Sequence, residues 1–188
     1  WQAMNQCDPE SLHRAMRFAA CAHEGQVMRG SRIPYMVHAA LVAMEVMIAL
    51  SGDEGKDADA RLAVVCAILH DVMEDSGTGY ENIALEFGAS VADGVLALTK
   101  NSVLATKDRM ADSISRIETQ PREIWMVKLA DRIVNLAPPP PDWRKEKIQQ
   151  YGEEALMILE RLGAASVSLS SRLREKIDEY AKYEKSGK

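Results

Sequence analysis

The chain has 188 residues, enough for one domain with a sizeable core. Its net charge of −5 argues against a general nucleic-acid binder, which is usually basic. Hydrophobic residues make up 47% and aromatics only 5%. Ala, Leu, Val and Met therefore fill the apolar positions, which favours helices over strands.

The elements read in order as helices joined by short loops. Asp8-Pro9 predicts an N-cap with proline at the first helical position, opening a helix to about His23. Residues 25 to 34 form a loop with two glycines and two arginines. Pro34 is expected to open the next helix, which carries His38 and ends near Leu50. Ser51 to Lys56 is a polar loop. A continuous helix is then expected from Ala58 to about Glu74, with Leu62, Val65, Cys66 and Leu69 at helical spacing. Ser76 to Gly79 breaks it. Tyr80 to Phe87 is a short helix stopped by Gly88. Ser90 is expected to cap a helix to about Leu98, Thr106 to open one through Ile117, and Pro121 to open one through Leu136. The run Pro138 to Pro141 stops that helix. Asp142 is expected to cap a helix to about Leu162, and Ser166 one to about Tyr183. No β alternation and no internal repeat is seen.

The expected fold class is thus all-α, a single helical-bundle domain over residues 1–188. The cysteines Cys7, Cys21 and Cys66 have no paired spacing, a reducing-compartment pattern. The longest apolar stretch, Ala39 to Leu50, is interrupted by Glu45 and too short to span a bilayer. No basic-then-apolar signal segment opens the chain, which begins with Trp1. These points predict a cytoplasmic protein with no membrane and no nucleic-acid polymer as partner. The oligomeric state is open.

Chemistry concentrates in four positions: His38, the pair His70-Asp71, and Asp131. A His-Asp dipeptide alone is weak, arising by chance in roughly one such chain in four. Its surroundings strengthen it. On a continuous helix at about 100° per residue, His70, Asp71, Glu74 and Asp75 share an arc of about 140°. Charges on an otherwise apolar helix need partners or a metal. A solvated helix end is the plain alternative for that segment. For His38 the plain alternative is a core histidine, and for Asp131 a salt bridge to Lys128 or Arg132.

Taken together, Phe18 to Gln26, Pro34-Tyr35 with His38, Leu69 to Asp75, and Lys128 to Leu136 resemble the hydrolase domain of RelA/SpoT proteins. More closely, the chain resembles the small, stand-alone alarmone hydrolases of the HD superfamily. The resemblance covers about residues 12–163, with the motifs in order, and leaves a C-terminal helix of about 166–183 outside it. It implies an HD-domain bundle with a central metal site. His38, His70, Asp71 and Asp131 match the family's metal ligands, and Glu74 and Asp75 its catalytic acidic pair. The implied activity is Mn²⁺-dependent hydrolysis of guanosine tetra- or pentaphosphate, releasing the 3′-pyrophosphate and leaving GDP or GTP. Two imidazoles and two carboxylates suit Mn²⁺, and the ligand types alone also admit Zn²⁺ or Fe²⁺. The implied substrate contacts are Arg29, Tyr35, Asn135, Lys147 and Tyr151, with Arg32 a weaker candidate. Trp143, Lys147 and Tyr151 fall on one helix face at i, i+4 and i+8, a pattern equally at home in a core.

Two departures thin the positive lining. Thr99-Lys-Asn-Ser102 stands where the family often has Thr-Asp-Asp-Lys, and Val27-Met28 replaces residues that are commonly basic. Two other functions therefore stay open. One is phosphohydrolysis of another nucleotide, such as NADPH. The other is a catalytically silent scaffold that binds a nucleotide, disfavoured because every ligand position is intact.

Overall fold

The computed structural model describes residues 8–185. Cys7 and Trp1 lie outside the described residues. The helices are α1 (Pro9–Ala22), α2 (Met36–Leu50), α3 (Ala60–Leu69), α4 (Val72–Asp75), α5 (Tyr80–Phe87), α6 (Ala89–Leu98), α7 (Arg109–Ile117), α8 (Arg122–Asn135), α9 (Lys145–Leu162) and α10 (Val167–Lys185). Short 3-10 turns occur at Asp53–Gly55 and Gly163–Ala165. The all-α expectation holds, apart from one isolated antiparallel bridge between Val27 and Pro34. No described helix is long and apolar enough to cross a membrane. Cys21 and Cys66 are free, one exposed and one buried.

Helices α3 and α8 form the centre. Every residue of α3 except Arg61 is buried, as a helix that is apolar all round requires. It packs against α1, α2, α6 and α8, while α8 also meets α2, α9 and α10. Small residues permit the closeness. A Cβ at Gly94 of α6 would lie 2.5 Å from Ile124 Cδ1 and 3.0 Å from Cys66 Sγ, so glycine there lets three helices meet. Helices on both sides of the proline run share one apolar cluster.

Several expected boundaries move, each for a physical reason. The helix expected over 58–74 is two helices. His70 Nδ1 bonds the Ala67 carbonyl at 2.8 Å, taking an acceptor at the end of α3. Asp71 adopts φ −103°, ψ −1°, and α4 restarts at Val72. Pro34 does not open α2. It belongs to a tight loop in which Met28 N–H donates to Ile33 O and Tyr35 N–H to Gln26 O. Gly30 turns that loop at φ +73°, a conformation that suits glycine. Ser90 lies inside α6, which starts after Gly88 at φ +95°. Helix α7 begins at Arg109, whose guanidinium bonds the Leu104 and Ser102 carbonyls and so folds the preceding loop. Asp142 does not cap α9, which starts at Lys145 with Arg144 at the N-cap position; the Asp142 carboxylate instead pairs with Arg29 at 3.2 Å. Asp8 caps α1 as expected, and Ser166 Oγ accepts from Leu169 N–H at the start of α10.

Candidate metal centre and adjoining cavity

Three helices deliver the four expected ligands to one place. His38 comes from the first turns of α2, His70 and Asp71 from the α3–α4 break, and Asp131 from α8. Ligand atoms of His38, His70 and Asp71 all lie within 4.8 Å of one another. The two histidine Nε2 atoms are 3.2 Å apart. Asp71 Oδ2 is 3.0 Å from His70 Nε2 and 3.8 Å from His38 Nε2. Asp131 Oδ1 is 3.7 Å and 3.5 Å from the same two atoms. His38, His70 and Asp131 are buried. The break at His70-Asp71 replaces the single helical arc read from the sequence, and it turns both residues of the dipeptide toward the cluster.

Surrounding groups fix the orientation of His70, Asp71 and Asp131. The bond from His70 Nδ1–H to Ala67 O assigns the ring's other nitrogen, Nε2, to the cluster. Tyr35 donates its hydroxyl to Asp71 Oδ2. Lys128 Nζ holds Asp131 Oδ2 at 3.0 Å, and Asn135 Nδ2 donates to Asp131 Oδ1. The salt bridge weighed for Asp131 therefore exists, and it positions the carboxylate beside the histidines. Charge is balanced within the cluster. Burial works against a charged His70, yet Asp71 and Asp131 raise it to about 9. Burial likewise opposes the charge on Asp71 and Asp131. His70 for one, and Lys128 followed by the two histidine rings for the other, still hold them below the usual carboxylate range.

The donor set fits a divalent ion. Two imidazole nitrogens at 3.2 Å must share a proton or face a cation, and two carboxylates stand ready to balance it. This gives a testable result. Metal binding needs His70 neutral, and below pH about 9 the metal-free ring holds a proton. Titration with Mn²⁺ at pH 7.5 is expected to release about one proton from His70, read as buffer-dependent heat in calorimetry. Affinity should rise with pH until about 9 and then level off. A pH-independent affinity between 6.5 and 8.5 would remove His70 from the ligand set.

Glu74 and Asp75 lie one turn past the ligands, in α4. Glu74 is held by Lys100: the Lys100 backbone N–H donates to Oε2 at 3.0 Å and Nζ to Oε1 at 3.0 Å. Burial, then the neighbouring Asp71 and Glu74, raises the Asp75 carboxyl above its ordinary value. Gln26 Nε2 fastens the Asp75 carbonyl at 2.8 Å.

A cavity of about 350 Å³ opens beside His38. Arg29, Tyr35, Asn135, Lys147 and Tyr151 all line it, together with Trp143 and Tyr180. The structure thus gathers every expected substrate contact into one concavity. Arg32 is exposed and does not line it. Trp143 carries Arg29 on its ring at 5.5 Å and Lys147 at 5.1 Å. Tyr151 packs under Arg132 at 4.2 Å. Sequence reasoning missed four supporting residues. His23 is buried, bonds Gln26, and stacks on Tyr35 at 4.7 Å. Its presence in the Phe18–Gln26 motif was the available signal for both His23 and Gln26. Lys128 was weighed only as an alternative to ligation. Lys100 was read only as a charge inversion.

Comparison with known proteins places this geometry in context. Residues 15–166 match the model of the HD domain family. The guanosine-3′,5′-bis(diphosphate) 3′-pyrophosphohydrolase MESH1 of Danio rerio is 27% identical over 177 residues, 92% of this chain and 95% of that protein. The guanosine-3′,5′-bis(diphosphate) 3′-pyrophosphohydrolase of Aquifex aeolicus is 31% identical over 168 residues, 84% of this chain but 22% of that longer protein. A solved structure, described as a metazoan orthologue of SpoT that hydrolyses ppGpp, superposes with a TM-score of 0.78. It covers 92% of this chain and 96% of its own, at 24% identity, a likeness of fold. With the family match running over residues 15–166, from α1 through α8 and α9, this chain belongs to the HD domain family.

Proposed function

We propose that the protein is a Mn²⁺-dependent pyrophosphohydrolase. It removes the 3′-pyrophosphate of guanosine tetra- or pentaphosphate and leaves GDP or GTP. The observation that carries this reading is the junction at His38: one side chain belongs both to the ligand cluster and to the cavity wall. A phosphate entering the cavity would reach the cluster directly. The relatives named for this hydrolysis support the choice of substrate.

His38, His70, Asp71 and Asp131 would hold the ion, which when bound supplies Lewis-acid polarisation and an acidified water. The chain's own groups do the rest. Tyr35, seated on His23, keeps Asp71 turned toward the histidines. Asp75, with its raised carboxyl, accepts the proton of the attacking water. Arg29 and Lys147 at the cavity mouth receive phosphate oxygens by charge-assisted hydrogen bonds. Asn135 and Tyr151 set the position of the ribose and its phosphates against the cluster.

The test is product identity. Guanosine tetraphosphate should give GDP and intact pyrophosphate by chromatography or phosphorus NMR. Orthophosphate released from the 5′ end would overturn the reading. Turnover of NADPH without turnover of guanosine tetraphosphate would reassign the substrate. Lys147→Ala should raise KM about tenfold and leave kcat within about threefold, because a phosphate-positioning contact contributes mainly uniform binding. Equal losses in kcat and kcat/KM would instead place Lys147 at the transition state.

A further inference from the structure

Lys100 holds a place that the reaction described above leaves unused. It follows the C-terminus of α6, and its backbone is anchored. Arg116 donates to the carbonyls of Leu96, Ala97 and Thr99, the last at 2.7 Å. Thr99 Oγ1 returns to Val95 O at 2.8 Å. From that fixed base Lys100 meets Glu74 at two points. Its N–H takes one carboxylate oxygen and its ammonium takes the other, each at 3.0 Å. The ammonium is also close enough for its field to act on Asp71, Asp75, Asp131 and Tyr151. Its ammonium thus sits on Glu74, with the carboxylates of the cluster within reach of its field.

The acidic pair poses a difficulty for any phosphate substrate. Two adjacent carboxylates beside the cluster repel the polyanion the cavity is meant to receive. We propose that Lys100 is the positioning residue that resolves this: by gripping both oxygens of Glu74 it fixes that carboxylate in one orientation and cancels its charge, so that a pyrophosphate group can approach the cluster past the acidic pair. Lys100 thus acts on substrate through Glu74. The proposal rests on the phosphohydrolase reading, and its test does not need turnover.

The test is a four-protein cycle of wild type, Lys100→Gln, Glu74→Gln and the double variant. Each is loaded with Mn²⁺ and titrated with inorganic pyrophosphate by calorimetry, and Mn²⁺ affinity is measured alongside. Lys100→Gln should weaken pyrophosphate binding about fivefold in the wild-type background, the range of a partly exposed ion pair. In the Glu74→Gln background the same change should matter less than about twofold, because no charge is left to cancel. Mn²⁺ affinity should stay unchanged throughout. Lys100→Arg, which keeps a cation, should bind pyrophosphate within about twofold of wild type. A purely structural role would show loss of Mn²⁺ affinity along with the loss of pyrophosphate binding, and would overturn the proposal. Equal losses with Mn²⁺ retained would mean direct phosphate contact, which overturns action through Glu74. Absence of pyrophosphate binding by the wild-type protein would overturn it as well. If pyrophosphate binds as expected while guanosine tetraphosphate is not hydrolysed, the substrate reading fails and the role of Lys100 stands.

Discussion

Asp71→Ala should empty the metal centre and lower turnover by about 10³ or more, the scale of several kcal/mol supplied by an ion at a reacting phosphate. Asp71 is the shared neighbour of the site. It lies 3.0 Å from His70 Nε2, accepts the Tyr35 hydroxyl, and faces His38. Removing it deletes one anionic ligand and frees Tyr35. The helices flanking it are fixed by apolar packing elsewhere, so circular dichroism should remain helical while Mn²⁺ stoichiometry falls. Elemental analysis after dialysis checks this. Full metal occupancy in the variant would take Asp71 out of the ligand set, and wild-type turnover would refute a metal-dependent reaction at this cluster.

The acidic pair should behave differently. Asp75→Asn keeps the shape of the side chain and removes the proton acceptor. Turnover should drop about 10² or more with Mn²⁺ retained, the range of general acid–base catalysis. Glu74→Gln should also retain Mn²⁺ and lose about 10², because it breaks the two-point contact with Lys100 that orders this edge of the site. Rates and metal content measured on the same samples separate these variants from Asp71→Ala. Wild-type rates in both would make the pair structural.

Particular residues show what could be read without coordinates. The cluster was legible because a candidate metal centre needs specific residue types, and His38, His70, Asp71 and Asp131, which the fold brings together, stand in motifs that carry them. The helices were legible where local signals decide them, as with Asp8 before Pro9 and Ser166 before α10. Contacts that residue spacing does not report decided the rest. Asp142 has the chemistry of an N-cap, but α9 starts only at Lys145, and the Asp142 carboxylate pairs with Arg29 of the α1–α2 loop. Nothing in the periodicity of residues 58–74 announces that the His70 ring will take the Ala67 carbonyl and end α3. Lys100 looked like an inverted charge in a loop. Only the fold shows that α4 brings Glu74 to meet it.

The placement of the proposed ligands on α2, the α3–α4 break and α8 has a consequence for the protein's lifetime. An ion bound there ties together segments that lie far apart in the chain, much as a cross-link would. Binding that exists only in the folded state shifts the unfolding equilibrium by an amount set by free ion concentration over dissociation constant, about 2.7 kcal/mol at a hundredfold excess. On the proposed reading, chelation should age the protein as well as silence it.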